Sequence, residues 1–247
     1  MPKEEDLSIN EFDIAAITAK SIFGAIPGVG SILSELTSAI IPNQRFDRLI
    51  EYVKILNDKI SQIPQDVLEI IKNDPYFIDL IEEGFIQASR AITKDRKEYI
   101  ASILYTGICN DEKNFIESKY FLKLLSELNE LEIITLTSYY YCIETEKASE
   151  FKNKHRNILE QRFVYEEEED SLILSSDVQQ NYKEHLLRLG LLSREDKIDF
   201  KTRNGKQIIE TKKGSYKITR LGGFLLKYAG ITEHYNYIYE YNADKEQ

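Results

Sequence analysis

Residues 198–218 read IDFKTRNGKQIIETKKGSYKI, and this stretch decides the fold. Ile198 and Phe200 alternate with polar neighbours, Asn204-Gly205 offers a two-residue turn, and Ile208 and Ile209 resume the apolar pattern. Asn-Gly between two such runs is the strongest short-range hairpin signal, because both residues tolerate positive φ. Lys213-Gly214 reads as a second turn, leading to Tyr216 and Ile218. Helical patterns flank the hairpin on both sides. Upstream, Ser176 caps a helix carrying Val178, Tyr182, Leu186 and Leu189, and Gly190 stops it. Downstream, Thr219 opens a helix over 220–229 with Leu221, Phe224, Leu225 and Tyr228. Two earlier helices start near Leu131 and Lys147. Helix, helix, helix, hairpin, helix is the order of a winged helix, with Asn204-Gly205 at the tip of the wing.

The preceding sequence is helical throughout. Apolar residues recur at helical spacing over 44–60, 64–71, 75–88, 93–104 and 120–128. Asp74-Pro75 is a restart signal, a capping side chain followed by proline at the first helical position. The expected fold is mainly α. An N-terminal helical bundle (1–115) precedes a C-terminal winged-helix-like α+β domain (116–247) with a small antiparallel hairpin.

The first 42 residues stand apart. Between positions 14 and 41 the only charges are Lys20 and Glu35. Phe12, Ile17, Phe23 and Ile26 mark one short apolar helix, and Leu33, Leu36 and Ile40 a second. Ile26-Pro27-Gly28-Val29-Gly30 separates them. Two readings of this hairpin differ in consequence: packing against the protein's own core or a second copy, or lying on a membrane surface. Each half is too short to span a bilayer. Gly28-Val29-Gly30 lacks the strand and the Gly-Lys-Ser/Thr of a phosphate loop. At the other end Tyr235, Tyr237, Tyr239 and Tyr241 alternate, the pattern of a strand with four rings on one face.

Charge is distributed unevenly. The 247 residues carry a formal net charge of −10, which opposes indiscriminate binding to phosphate backbones. Over 183–227, however, 12 Lys or Arg meet 5 Asp or Glu. Such local excess points to nucleic acid or another acidic partner. Arg203, Lys206, Lys212 and Lys213 lie where a wing touches phosphates. Gln179, Gln180, Lys183 and Arg188 lie on the helix that enters the major groove in DNA-binding winged helices. The competing reading is that exposed hairpins carry lysines to deter edge pairing.

Catalytic signals are missing from the sequence. His155, His185 and His234 fall in separate elements, and no metal, cofactor or nucleophile motif accompanies them. Two cysteines without ligand spacing and a poor match to a signal peptide lead to an expected cytoplasmic location.

Several stretches carry a family resemblance. They are Ile26-Pro27-Gly28-Val29-Gly30 with 42–47, then 82–103, 124–136, and 186–192 with 216–224. Within them, Leu189-Gly190-Leu191 and Tyr216-Lys217-Ile218-Thr219-Arg220-Leu221-Gly222 resemble the Abi-alpha (abortive-infection alpha) family. That resemblance implies a non-enzymatic bacterial protein of antiviral defence and offers no catalytic residues. The expected activity is therefore macromolecular contact, with a protein partner or a homo-oligomer, in phage defence or stress response. The alternatives are a winged-helix DNA-binding regulator and a membrane-associated effector using the N-terminal hairpin.

Overall fold

The computed structural model describes residues 43–235, except 62, 110–112, 144, 160–169 and 204–205. Phe12, Ile17, Phe23, Ile26, Leu33, Leu36 and Ile40 lie outside the described residues, as do Asn204-Gly205 and the last three tyrosines of the alternating run. The described part is mainly helical, with a small antiparallel β-ribbon. It divides into two compact units. One runs to Lys123 and includes Tyr228–Gly230; the other comprises Leu124–Lys227 and resumes at Ile231.

The first unit contains α1 (Asn43–Ile60), α2 (Gln65–Ile71), α3 (Pro75–Arg90), α4 (Lys94–Cys109) and most of α5 (Lys113–Glu127). Its core is built on helical spacing. Leu49, Tyr52, Val53 and Leu56 of α1 are buried with Phe77, Leu80, Ile81 and Phe85 of α3 and Ile100, Ile103 and Leu104 of α4. The Tyr52 ring meets Phe85 edge-on at 5.4 Å, a favourable quadrupole arrangement. Asp74 caps α3 by accepting from the Tyr76 and Phe77 amides at 2.7 and 3.2 Å. Thr93 accepts from the Arg96 amide at 3.2 Å at the start of α4. Lys97 is buried but pairs with Glu51, so its charge is not left uncompensated.

The second unit contains α6 (Glu130–Tyr140), α7 (Glu146–Lys154), α8 (Arg156–Leu159), α9 (Asp170–Arg188), β1 (Leu192–Arg194), β2 (Lys197–Arg203), β3 (Lys206–Lys212), β4 (Tyr216–Ile218) and most of α10 (Arg220–Tyr228). Leu125, Leu128, Ile133, Leu136 and Tyr140 are buried here with Leu186, Leu191, Leu192, Leu225 and Leu226. A capping box starts α6. The Asn129 side chain accepts from the Glu132 amide, and the Glu132 carboxylate accepts from the Asn129 amide, both at 2.9 Å. Gly190 ends α9 at φ +72°. Leu191 N–H then reaches Leu186 O and Gly190 N–H reaches Leu187 O, both at 3.0 Å, the paired bonds of a glycine-terminated helix. Thr219 caps α10 by accepting from the Gly222 amide at 3.1 Å, and its hydroxyl donates to Gly190 O at 2.7 Å. One threonine thus ties the end of α9 to the start of α10.

Three local expectations are corrected. Helix α9 begins at Asp170 rather than at Ser176; an aspartate at its start suits the positive end of the helix dipole. The helix expected to start near Lys147 breaks at His155, between α7 and α8. Lys213-Gly214 does not reverse the chain. β1 pairs with β4 as Leu192↔Ile218 to Arg194↔Tyr216, and β2 pairs with β3 as Lys197↔Lys212 to Arg203↔Lys206. Between these ladders Glu195 and Asp196 oppose Lys213, Gly214 and Ser215. The two ladders are separate two-stranded sheets, and the extra residue on the returning strand offsets their registers by one, as at a β-bulge.

Candidate functional site

The base of the ribbon is held to α9 by one polar cluster. Arg194 Nη1 donates to Glu184 Oε1 and to the Tyr216 hydroxyl, each at 2.7 Å. Its Nε and Nη2 donate to the Asp196 carboxylate at 2.7 and 3.2 Å. The guanidinium also lies over the Tyr216 ring, 5.1 Å from its centroid. Tyr216 donates to Glu184 Oε1 at 2.8 Å, and Gln180 Nε2 donates to the Tyr216 oxygen at 2.9 Å. Asp196 also accepts the Gly214 amide at 3.0 Å, directly at the bulge. Arginine suits this position because its planar fork serves two carboxylates and a ring at once.

The cluster shifts its own ionisation. Hydrogen bonds from Tyr216 and then Arg194 hold the Glu184 carboxyl down to about 2. Asp196 is lowered by the Gly214 amide and then by Arg194. Arg194 is raised by Asp196 and then Glu184. Tyr216 is raised by burial and then by its bond to Glu184. Every charge in the cluster is therefore stabilised by a neighbour, which makes the stem a stable seat for what it carries.

That burden is the β2–β3 segment. Strand residues directly opposite each other in an antiparallel pair share a face, and the face alternates along the strand. The register places positions 197, 199, 201 and 203 on one face with 212, 210, 208 and 206. These are Lys197, Asp199, Lys201, Arg203, Lys206, Ile208, Glu210 and Lys212, so one face includes every charged position of the two strands. The other face has Ile198, Phe200, Thr202, Gln207, Ile209 and Thr211.

The candidate residues are placed unequally. Arg203 and Lys206 form the last paired position before 204–205, at the ribbon tip. Lys212 and Lys213 are exposed at its base, and Lys213 Nζ lies 3.7 Å from Glu184 Oε1. Arg188 is exposed in the last turn of α9. The other three helix candidates make intramolecular contacts or face a cleft. Gln179 donates to Ile158 O at 2.9 Å, Gln180 joins the stem cluster, and Lys183 is half-buried. Arg194, Glu184, Asp196 and Tyr216 were not singled out by sequence. They are up to 32 positions apart, and only the ribbon register unites them. A further, half-buried polar contact in this unit joins Glu132 Oε1 to His185 Nδ1 at 2.6 Å.

Among the described residues, no group of three or more His, Cys, Asp or Glu side chains is placed to hold a metal ion. No described helix is long and apolar enough to cross a membrane. Comparison with family models, curated proteins and solved structures finds no match to this chain.

Proposed function

We propose that this chain is a non-enzymatic binding protein whose C-terminal unit is a winged helix, contacting duplex nucleic acid chiefly through its wing. In this reading α6, α7 with α8, and α9 are the three helices, and β2–β3 is the wing; the helices of the first unit are the N-terminal bundle. The observation that carries it is the register: positions Lys197, Lys201, Arg203, Lys206 and Lys212 share one face, five cations against Asp199 and Glu210, on a ribbon seated on an ion-paired stem. Cations on one face suit a phosphate backbone, which presents a line of like charge. The inward contacts of Gln179 and Gln180 and the burial of Lys183 favour wing contacts over base reading by α9.

Fluorescence anisotropy of a labelled duplex, titrated at several salt concentrations, tests the proposal. Replacing Arg203, Lys206, Lys212 and Lys213 by Ala should weaken binding and flatten the salt slope by about 0.9 per lost phosphate contact, about 3.6 at most. Absence of duplex binding at low salt, or an unchanged slope in the variant, refutes it. The resemblance to the Abi-alpha family supports phage defence as the biological setting. If that setting is right, the fourfold variant should also lose protection in a plaque assay.

A further inference from the structure

A cleft of about 450 Å3 opens among α6, α7, α8 and α9, within the range of small-molecule sites. Thr135, Ser138 and Tyr139 of α6 face Lys152 of α7 and Gln179 and Lys183 of α9. Ile158 and Leu159 add an apolar wall. Among the described residues, the lining contains no Asp or Glu and two lysines, of which Lys152 is engaged by another group. By contrast, the cleft of about 580 Å3 between α3 and α5 already holds an Asp79–Lys119 ion pair. Gln179 is committed to Ile158 O, which fixes one wall. Lys183 makes no hydrogen bond or ion pair among the described residues. Burial lowers its pKa, because partial loss of water disfavours an ammonium that lacks a counter-charge. An incoming anion would supply that charge, while the aliphatic wall suits an apolar body.

We infer that this cleft binds a small organic anion, a phosphate monoester or carboxylate on an apolar body, with Lys183 meeting the charge. The inference does not rest on the nucleic-acid reading, because it concerns a different face of α9 and its test contains no duplex.

The test is calorimetric titration of the full chain with phenyl phosphate and with benzoate, and with phenol as the uncharged control. At least one of the two anions should bind with a Kd of about 1 mM or tighter, at least about tenfold tighter than phenol. The two anion arms decide between phosphate and carboxylate. Lys183→Met should weaken binding about tenfold, and Lys183→Arg should retain it. If Lys183→Met also lowers the thermal midpoint, Lys183→Gln, which keeps a polar head without the charge, gives the same readout. Failure of both anions to bind at about 10 mM, phenol binding as tightly as either, or undiminished binding by a correctly folded Lys183→Met or Lys183→Gln variant would overturn the assignment.

Discussion

Gly214→Ala should redirect the ribbon without changing its charge. A Cβ built at Gly214 would lie 2.0 Å from the Glu195 carbonyl oxygen and 2.8 Å from its carbon. A carbon–oxygen contact without overlap needs about 3.3 Å, so one strand must shift by about 1.3 Å. Strands are about 4.8 Å apart, and a seven-residue strand extends about 20 Å. A 1.3 Å displacement across that spacing rotates the ribbon by about 15° and moves its tip by about 5 Å. The same shift strains the Gly214 N–H bond to Asp196 at 3.0 Å, and with it the Arg194 fork. Overpacking of this kind costs about 1–3 kcal/mol.

Electron–electron distance measurement between spin labels at Asn181 on α9 and Gln207 on β3 reads the displacement directly. The exposed Cys109 and Cys142 must first become Ser so that labelling is specific. Ser215→Ala, one residue away at an exposed position, is the control and should leave the distance unchanged. A Gly214→Ala distribution within about 1 Å of the parent, with unchanged urea stability, would refute the claim that the bulge geometry sets the ribbon's direction.

Three further perturbations follow from the same packing and charges. Glu184 has its folded pKa lowered from 4.5 to about 2, so its contribution is present above 4.5 and lost as pH falls through 2; Glu184→Gln should flatten that part of an acid unfolding curve followed by tyrosine fluorescence. Phe85, fully buried against the Tyr52 ring, should cost about 3–5 kcal/mol as Phe85→Ala, read as a lower urea midpoint for the first unit with an unchanged slope. The buried Tyr52 hydroxyl has no hydrogen-bond partner among the described residues, so Tyr52→Phe should raise stability by about 1 kcal/mol; an equal loss in thermal denaturation would mean that the hydroxyl is satisfied.

Local punctuation was legible in the sequence because its physics is local. Asp74-Pro75 caps and starts α3, Gly190 ends α9, and Thr219 caps α10, all through contacts within a few residues or at a helix end. The hairpin was legible for the same reason, since alternation around Asn204-Gly205 specifies pairing and register together. The stem cluster was not legible. Glu184, Arg194 and Tyr216 meet only after α9 has ended and the ribbon has folded back, and the one of them that heads a sequence motif, Tyr216, reads there as part of a helix start. Gly214 illustrates the difference most clearly. A Lys-Gly pair between apolar runs suggests a turn, but the spacing of the flanking register pairs is what makes it a bulge. That information lies in two ladders at once, not in the dipeptide.

Helix α9 then explains why residue type alone misplaces the candidate site. Gln179 and Lys183, one helical step of four apart, face the cleft. Gln180 and Glu184, offset by one residue and again four apart, grip Tyr216. Asn181 and Arg188 are exposed on the remaining surface. The same three-and-a-half-residue repeat that makes neighbours of positions four apart divides a run of polar residues among three environments. In the proposed reading, only the third of these environments is free to meet a duplex from the helix, so affinity comes mainly from the ribbon and depends on salt more than on base sequence. Tyr139 adds a physical link between the other two: it lines the cleft, and its ring lies 6.2 Å from that of Tyr216.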